Sequence, residues 1–225
     1  MKLIIFGANG GLGQWVWKMA VDAGHDVTAF VRTPSKLDSS DPRHAKLHIV
    51  AGNVMDADAV RTASTGCQVA INCTSPAGGN STAELAQSIV SNAAAGGVEA
   101  FYMVGGLGAL WAPGTDKTVL IQDWDDAQEM QRHGLSPSIP REMLQNMTRG
   151  HLASMAYLES TGFAHTYLCP GLMVDGPPSD ARVVTLDELG GPSATKVNFG
   201  DIAQVIVEDL GHGKLLGHRV CVSAA

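Results

Sequence analysis

The apolar run Leu3-Ile4-Ile5-Phe6 ends against Gly7, and glycine then recurs at every third residue, Gly7, Gly10 and Gly13, before a new apolar pattern begins. Four consecutive apolar residues bounded by glycine predict a strand buried on both faces, as in a parallel sheet. Leu12, Val16, Met19 and Ala20 follow at helical spacing, and Gly24 stands where a helix would stop. A strand, a tight glycine turn and a helix in direct succession let the backbone approach an anion closely. The helix N-terminus then offers free N–H groups and a partial positive charge. Gly7, Asn9, Gly10, Gly11, Leu12 and Gly13 are therefore candidates for holding a pyrophosphate.

The alternation continues. Strands are predicted over 27–31, 47–51, 69–72 and 100–104, with helices over 56–63 and 82–95. That order predicts an α/β protein with a doubly wound parallel sheet of Rossmann type. Right-handed crossovers bring the strand C-termini to one edge, where the loops at Gly7, Arg32, Asn53, Thr74 and Gly105 converge. The pattern breaks over about 107–140, which holds Trp111, Pro113, Trp124, Pro137 and Pro140. This stretch reads as a loop-rich insertion, either a lid or a surface excursion, with a short helix near 125–132. A helix over 141–160, strands over 166–169 and 182–186, a helix over 200–210 and a strand over 219–222 complete the reading. With 225 residues, 45% of them hydrophobic, and no linker or repeat, the chain is expected to form one domain, 1–225. Its final third is expected to form a small substrate-side lobe.

Several partners are disfavoured. The net charge is −7 and no basic block stands out, which argues against nucleic acid. No apolar stretch is long enough to span a bilayer, and the N-terminal run is too short for a secretory signal. A cytoplasmic protein with no membrane partner is the expectation. Cys67, Cys73, Cys169 and Cys221 form no CxxC pair or zinc-type spacing with histidine, so reduced thiols and no metal are expected. Asp123, Asp125 and Asp126 lack the glycine-ordered loop of a calcium site and read as a solvated face. Trp15 and Trp17, two apart on one helix, cannot both face the sheet. One is expected in the core and the other exposed or at a subunit contact, so monomer and homodimer both stay open.

The second strand ends Phe30-Val31-Arg32. An NAD site places Asp or Glu here to accept bonds from the ribose hydroxyls. Arg32 suits a 2′-phosphate instead, with Thr33, Ser35 and Lys36 able to add contacts. The expected cofactor is NADP in preference to NAD.

Further motifs extend the pattern: Ala51-Gly52-Asn53-Val54, Ile71-Asn72-Cys73-Thr74, Val104-Gly105-Gly106, Leu168-Cys169-Pro170-Gly171 and Asp201-Ile202-Ala203. With these, nearly the whole chain resembles the atypical short-chain dehydrogenase/reductases. Within them it is most similar to the NAD(P)H-binding proteins related to flavin reductase/biliverdin reductase B and to NmrA-type regulators. The resemblance implies that Gly52, Asn53 and Val54 meet the adenine. Asn53 stands in place of the usual Asp and would accept the amino group's bond through its amide oxygen. It also implies that Cys73, Thr74 and Ser75 line the ribose and pyrophosphate. Gly105 belongs to the same cofactor loops, and Pro170, Gly171 and Leu172 would present backbone beside the nicotinamide amide.

The superfamily's Tyr-x-x-x-Lys pair, which gives a carbonyl its proton, is missing. Its positions correspond to Met147 and His151. His151 is the candidate catalytic residue, either as an acid or as a substrate contact; the alternative is a plain helix histidine. Arg149 could hold an anionic substrate. Trp111 could stack on a flat ring or anchor the insertion. Tyr157 reads as packing. The function implied is NADPH-dependent reduction of a flat conjugated acceptor, such as a flavin or quinone, or of a small carbonyl, with that small molecule as partner. The alternatives are a non-catalytic NAD(P) sensor and an isomerase, epimerase or cyclase that keeps its nicotinamide.

Overall fold

A computed structural model describes residues 1–76, 79–135, 140–179, 182–190 and 196–224. The first half reads β1 (Lys2–Phe6), α1 (Gly11–Asp22), β2 (Asp26–Val31), β3 (His48–Ala51), α2 (Ala57–Ser64), β4 (Val69–Asn72), α3 (Thr82–Ala95) and β5 (Ala100–Val104). The second half reads α4 (Ala127–Arg132), α5 (Arg141–Thr161), β6 (Ala164–Leu168), β7 (Leu172–Val174), β8 (Arg182–Leu186), β9 (Lys196–Asn198), α6 (Phe199–Asp209) and β10 (Arg219–Ala224).

The main sheet runs β3-β2-β1-β4-β5-β6-β10-β8, with only β8 antiparallel to its neighbour. From β1 the chain winds outward through β2 to β3, then crosses back to β4 on the other side of β1. This reversal opens a crevice at the strand C-termini, where open α/β sheets bind ligands. Leu3, Ile4, Ile5 and Phe6 are fully buried, as a doubly covered strand requires. Their alternation splits the core. Leu3 and Ile5 join Val16, Trp17, Ile202 and Ile206 under α1 and α6, while Ile4 and Phe6 join Val60, Ile89 and Leu158 under α2, α3 and α5.

The second half departs from expectation in places. The segment after β5 is anchored through its described part: Ala109, Leu110, Ala112 and Ile121 are fully buried in the α3–α5 core. Trp111 bridges Leu120 and Glu188. Small and aliphatic residues without periodicity gave no sign of this burial. Pro137 lies outside the described residues. Most of the final third extends the main sheet through β6, β10 and β8. Only β7 and β9 stand apart, as a parallel two-stranded sheet that the sequence did not suggest because each has three residues.

Trp17 is buried, and Trp15 donates its indole N–H to Asp175 at 2.9 Å. In the acidic group, Asp126 caps α4, Asp123 accepts from Gln145 at 2.7 Å, and Asp125 pairs with Arg141. Among the described residues, no helix is long and apolar enough to cross a membrane.

Candidate functional site

The crevice starts where β1 runs out. Gly7 has φ +77°, and a Cβ there would lie 2.8 Å from the carbonyl oxygen of Cys73. A Cβ on Gly13 would lie 2.3 Å from the carbonyl oxygen of Gly7. The turn, the first turn of α1 and the chain leaving β4 therefore meet backbone to backbone, which only glycine at these positions permits. Gly10 precedes α1 without a capping side chain, and the first turn of α1 holds no acid. By contrast, α2, α3 and α4 are capped by Asp56, by Ser81 with Glu84, and by Asp126. The first N–H groups of a helix have no partner within it, so the bare end of α1 offers donors to an anion.

A cleft of about 250 Å³ opens in front of that end. It gathers Gly7, Asn9, Gly10, Arg32, Lys36, Gly52, Asn53, Val54, Cys73, Thr74 and Ser75 from four separate loops. Phe30, Asn80 and Leu85 also line it and were not anticipated. Phe30 had a visible signal, since it lies two residues before Arg32 on the same strand; Asn80 and Leu85 had none. Gly11, Leu12 and Gly13 do not line the cleft. Leu12 and Gly13 are buried in the first turn of α1, and Gly11 sits beneath the ring of Phe199.

The polar groups of the cleft differ in how firmly they are held. Asn72 is buried, and its carboxamide oxygen accepts from both the Thr74 N–H at 2.9 Å and the Thr74 hydroxyl at 2.7 Å. Sequence reasoning passed over Asn72, although a polar residue closing an apolar strand was its signal. The Asn53 oxygen, expected to face the adenine, already accepts the Met55 N–H at 3.1 Å. One lone pair and the amide N–H groups remain for a ligand. Burial pushes the Cys73 thiol up to about 12, and Cys73 packs toward the α1–α6 core.

Arg32 and Lys36 are exposed and form no ion pair among the described residues. Nearby cations are already matched: Lys18 lies 2.7 Å from Asp38 and 3.3 Å from Asp41, and Arg43 lies 2.6 Å from both Asp22 and Asp41. No carboxylate at the end of β2 opposes a phosphate.

A second cluster stands at the ends of β5 and β6. A Cβ on Gly105 would come within 2.1 Å of the Tyr167 ring, and one on Gly106 within 3.2 Å of His151 Cδ2. His151 Nδ1 lies 3.3 Å from the Tyr167 hydroxyl, with the rings edge to face and 6.4 Å apart. Burial holds the imidazole below the ordinary histidine range and the Tyr167 phenol well above the tyrosine range. Pro170 is buried, Gly171 half-buried and Leu172 68% exposed. Met147, one turn before His151 on α5, is 62% exposed.

Two expected substrate residues are not brought here. Arg149 sits ~200° around α5 from His151, exposed, and donates to Asn146 at 3.1 Å. Trp111 is an anchor: its backbone bonds Asp187 and Leu189, and the Arg219 guanidinium covers its ring at 4.7 Å. Tyr157 packs against the core and meets Ser91. Among the described residues, no three His, Cys, Asp or Glu side chains are grouped to hold a metal.

A family described as NAD(P)H-binding matches residues 7–212. Among solved structures, a candidate exported protein from Burkholderia pseudomallei is 20% identical with TM-score 0.78, covering 99% of each chain. A candidate NADH-flavin reductase from Streptococcus pneumoniae is 20% identical with TM-score 0.76, covering 100% of each chain. An anaerobillin reductase from Escherichia coli O157:H7 is 16% identical with TM-score 0.72, covering 98% of this chain and 97% of its own. At these identities the likeness is one of fold.

Proposed function

The chain belongs to the NAD(P)H-binding family, and we propose that it is an NADPH-dependent reductase of a flat conjugated acceptor, such as a flavin or quinone, or of a small carbonyl. One observation carries the reading. The bare N-terminus of α1 and two cations without an ion pair among the described residues, Arg32 and Lys36, open onto one glycine-walled cleft at the sheet's reversal point. A dinucleotide phosphate group fits this donor set. Gly7, Asn9 and Gly10 would hold the pyrophosphate. Gly52, the Asn53 amide and Val54 would meet the adenine, and Arg32 with Lys36 would take a 2′-phosphate. Thr74, held by Asn72, would meet a ribose, and Pro170-Gly171 would face the carboxamide.

When bound, the reduced nicotinamide supplies a hydride. The chain's own part is positioning. Met147, at the position corresponding to the superfamily tyrosine, cannot give a proton, and water supplies it. Structural neighbours described as a flavin reductase and an anaerobillin reductase support this class. A small-molecule acceptor is the partner proposed, and a cytoplasmic location accords with four unpaired cysteines.

The test is a titration with NADPH and NADH, run beside loss of reduced-nicotinamide absorbance with flavin, quinone and aldehyde acceptors. Tighter NADPH binding, weakened in Arg32→Ala, together with turnover of an acceptor, is expected. Binding without any turnover would transfer the reading to a sensor. A second reading has one observation in its favour. A histidine held neutral by burial can accept a proton, as an isomerase with retained nicotinamide would require, and product without net NADPH loss would identify it.

A further inference from the structure

Tyr167 is 2% exposed, on β6, with the backbone of Gly105 against its ring. A buried phenol needs an acceptor for its O–H. Among the described residues, the phenol's hydrogen-bond contact is His151 Nδ1 at 3.3 Å. Ser154, also beside it, donates its hydroxyl proton to the Gly150 carbonyl at 2.8 Å and keeps its oxygen lone pairs, so it is the competing acceptor that the tautomer measurement distinguishes. If the phenol donates to Nδ1, that nitrogen carries no proton, and the neutral ring must hold its proton on Nε2. Nε2 has no partner among the described residues. It lies on the side of Gly106, where a Cβ would come within 3.5 Å, so glycine leaves this edge of the ring uncovered. Burial alone accounts for the weakened proton affinity of the ring.

We propose that Tyr167 is a positioning residue that fixes His151 as the Nε2–H tautomer, so that His151 serves as a neutral hydrogen-bond donor to a carbonyl oxygen of the acceptor. The donor role rests on the reductase reading above. It narrows the acceptor to a quinone or carbonyl compound, whose oxygen gains negative charge on reduction. A fixed N–H aimed at that oxygen stabilises the charge as it develops, and water supplies the neutralising proton. A neutral imidazole suits this task because it donates a hydrogen bond without transferring its proton.

The tautomer can be read directly by long-range ¹H–¹⁵N spectra of the histidine rings in the nucleotide-free protein, with His151→Gln assigning the signals. A pyridine-like Nδ1 and a pyrrole-like Nε2 are expected for His151, and Tyr167→Phe should mix the tautomers. A pyrrole-like Nδ1 in the wild type overturns the proposal. So does an unchanged pattern in Tyr167→Phe, whose ring still fills the site. With a quinone acceptor, Tyr167→Phe should lower kcat about tenfold, the worth of one hydrogen bond, and leave the NADPH Kd unchanged. An unaltered kcat overturns the donor role. Failure of the wild type to bind NADPH would fall on the reductase reading alone, because the tautomer is measured without nucleotide.

Discussion

In the cleft between β1 and β4, shape is set by backbone against backbone: a Cβ at Gly7 or Gly13 would press within 2.8 or 2.3 Å of a carbonyl oxygen. Around His151, on the same edge of the sheet, shape is set by side chains: Tyr167 against the ring and the exposed Met147 one turn earlier on α5. A pyrophosphate is the same in every reduced dinucleotide, so main-chain N–H groups and a helix end suffice to recognise it. An acceptor varies, and side chains can change without disturbing the strands that carry them. The two halves should therefore answer substitution differently.

The largest difference is expected between Gly13→Val and Met147→Ala. The valine must displace the Gly7 carbonyl and the start of α1, costing about 3 kcal/mol of stability. The exposed methionine should cost within about 0.5 kcal/mol. Urea midpoints measure both, and equal midpoints would break the comparison. Next comes Arg32→Ala, which removes one charged partner and leaves the fold intact. The NADPH Kd should rise about 10- to 100-fold, the range for hydrogen bonds to a charged group, while NADH binding stays nearly constant. Equal losses for both nucleotides would mean that Arg32 does not touch a 2′-phosphate. A smaller effect is expected for Asn72→Ala. Thr74 loses both of its bonds to the carboxamide oxygen, and stability should fall by about 1 kcal/mol. NADPH binding should weaken with it, because Thr74 is no longer held at the cleft wall.

The same contrast explains what could be read from the sequence. The first hundred residues announce themselves locally: apolar runs mark the buried strands, glycine follows β1, β3 and β5, and helix patterns alternate with the strands. Most of the cleft residues belong to those loop motifs, so naming the strands named the cleft. The second half depends on contacts distant in sequence. Ala109, Leu110 and Ile121 are buried because α3 and α5 happen to cover them, and no periodicity records that. β7 and β9 are too short for alternation to show. Arg149 is near His151 in sequence but on the other side of the helix, and Trp111 is covered by Arg219 from a strand 108 residues on. The bond between Tyr167 and His151 joins two residues that propensity treats as unrelated.

The smallest effect concerns pH, where the two halves should fail at opposite ends. Burial keeps the folded His151 from taking a proton at its ordinary 6.5. The unfolded chain takes that proton first, so the stability tied to a neutral His151 is complete above 6.5 and is lost as pH falls through the folded value. Burial likewise pushes Cys73 up to about 12 from 9.0. The unfolded thiol ionises first, so the stability tied to a protonated Cys73 is complete below 9.0 and is lost as pH rises toward 12. His25, Cys67, Cys169 and Cys221 are shifted in the same directions, so wild-type curves alone mix several groups. Difference curves separate them. His151→Gln should flatten the acid limb of the urea midpoint and leave the alkaline limb alone, while Cys73→Ala should do the reverse. If both substitutions flattened the same limb, the two halves would not be electrostatically independent, and the division between a backbone-built cleft and a side-chain-built acceptor side would have to be given up.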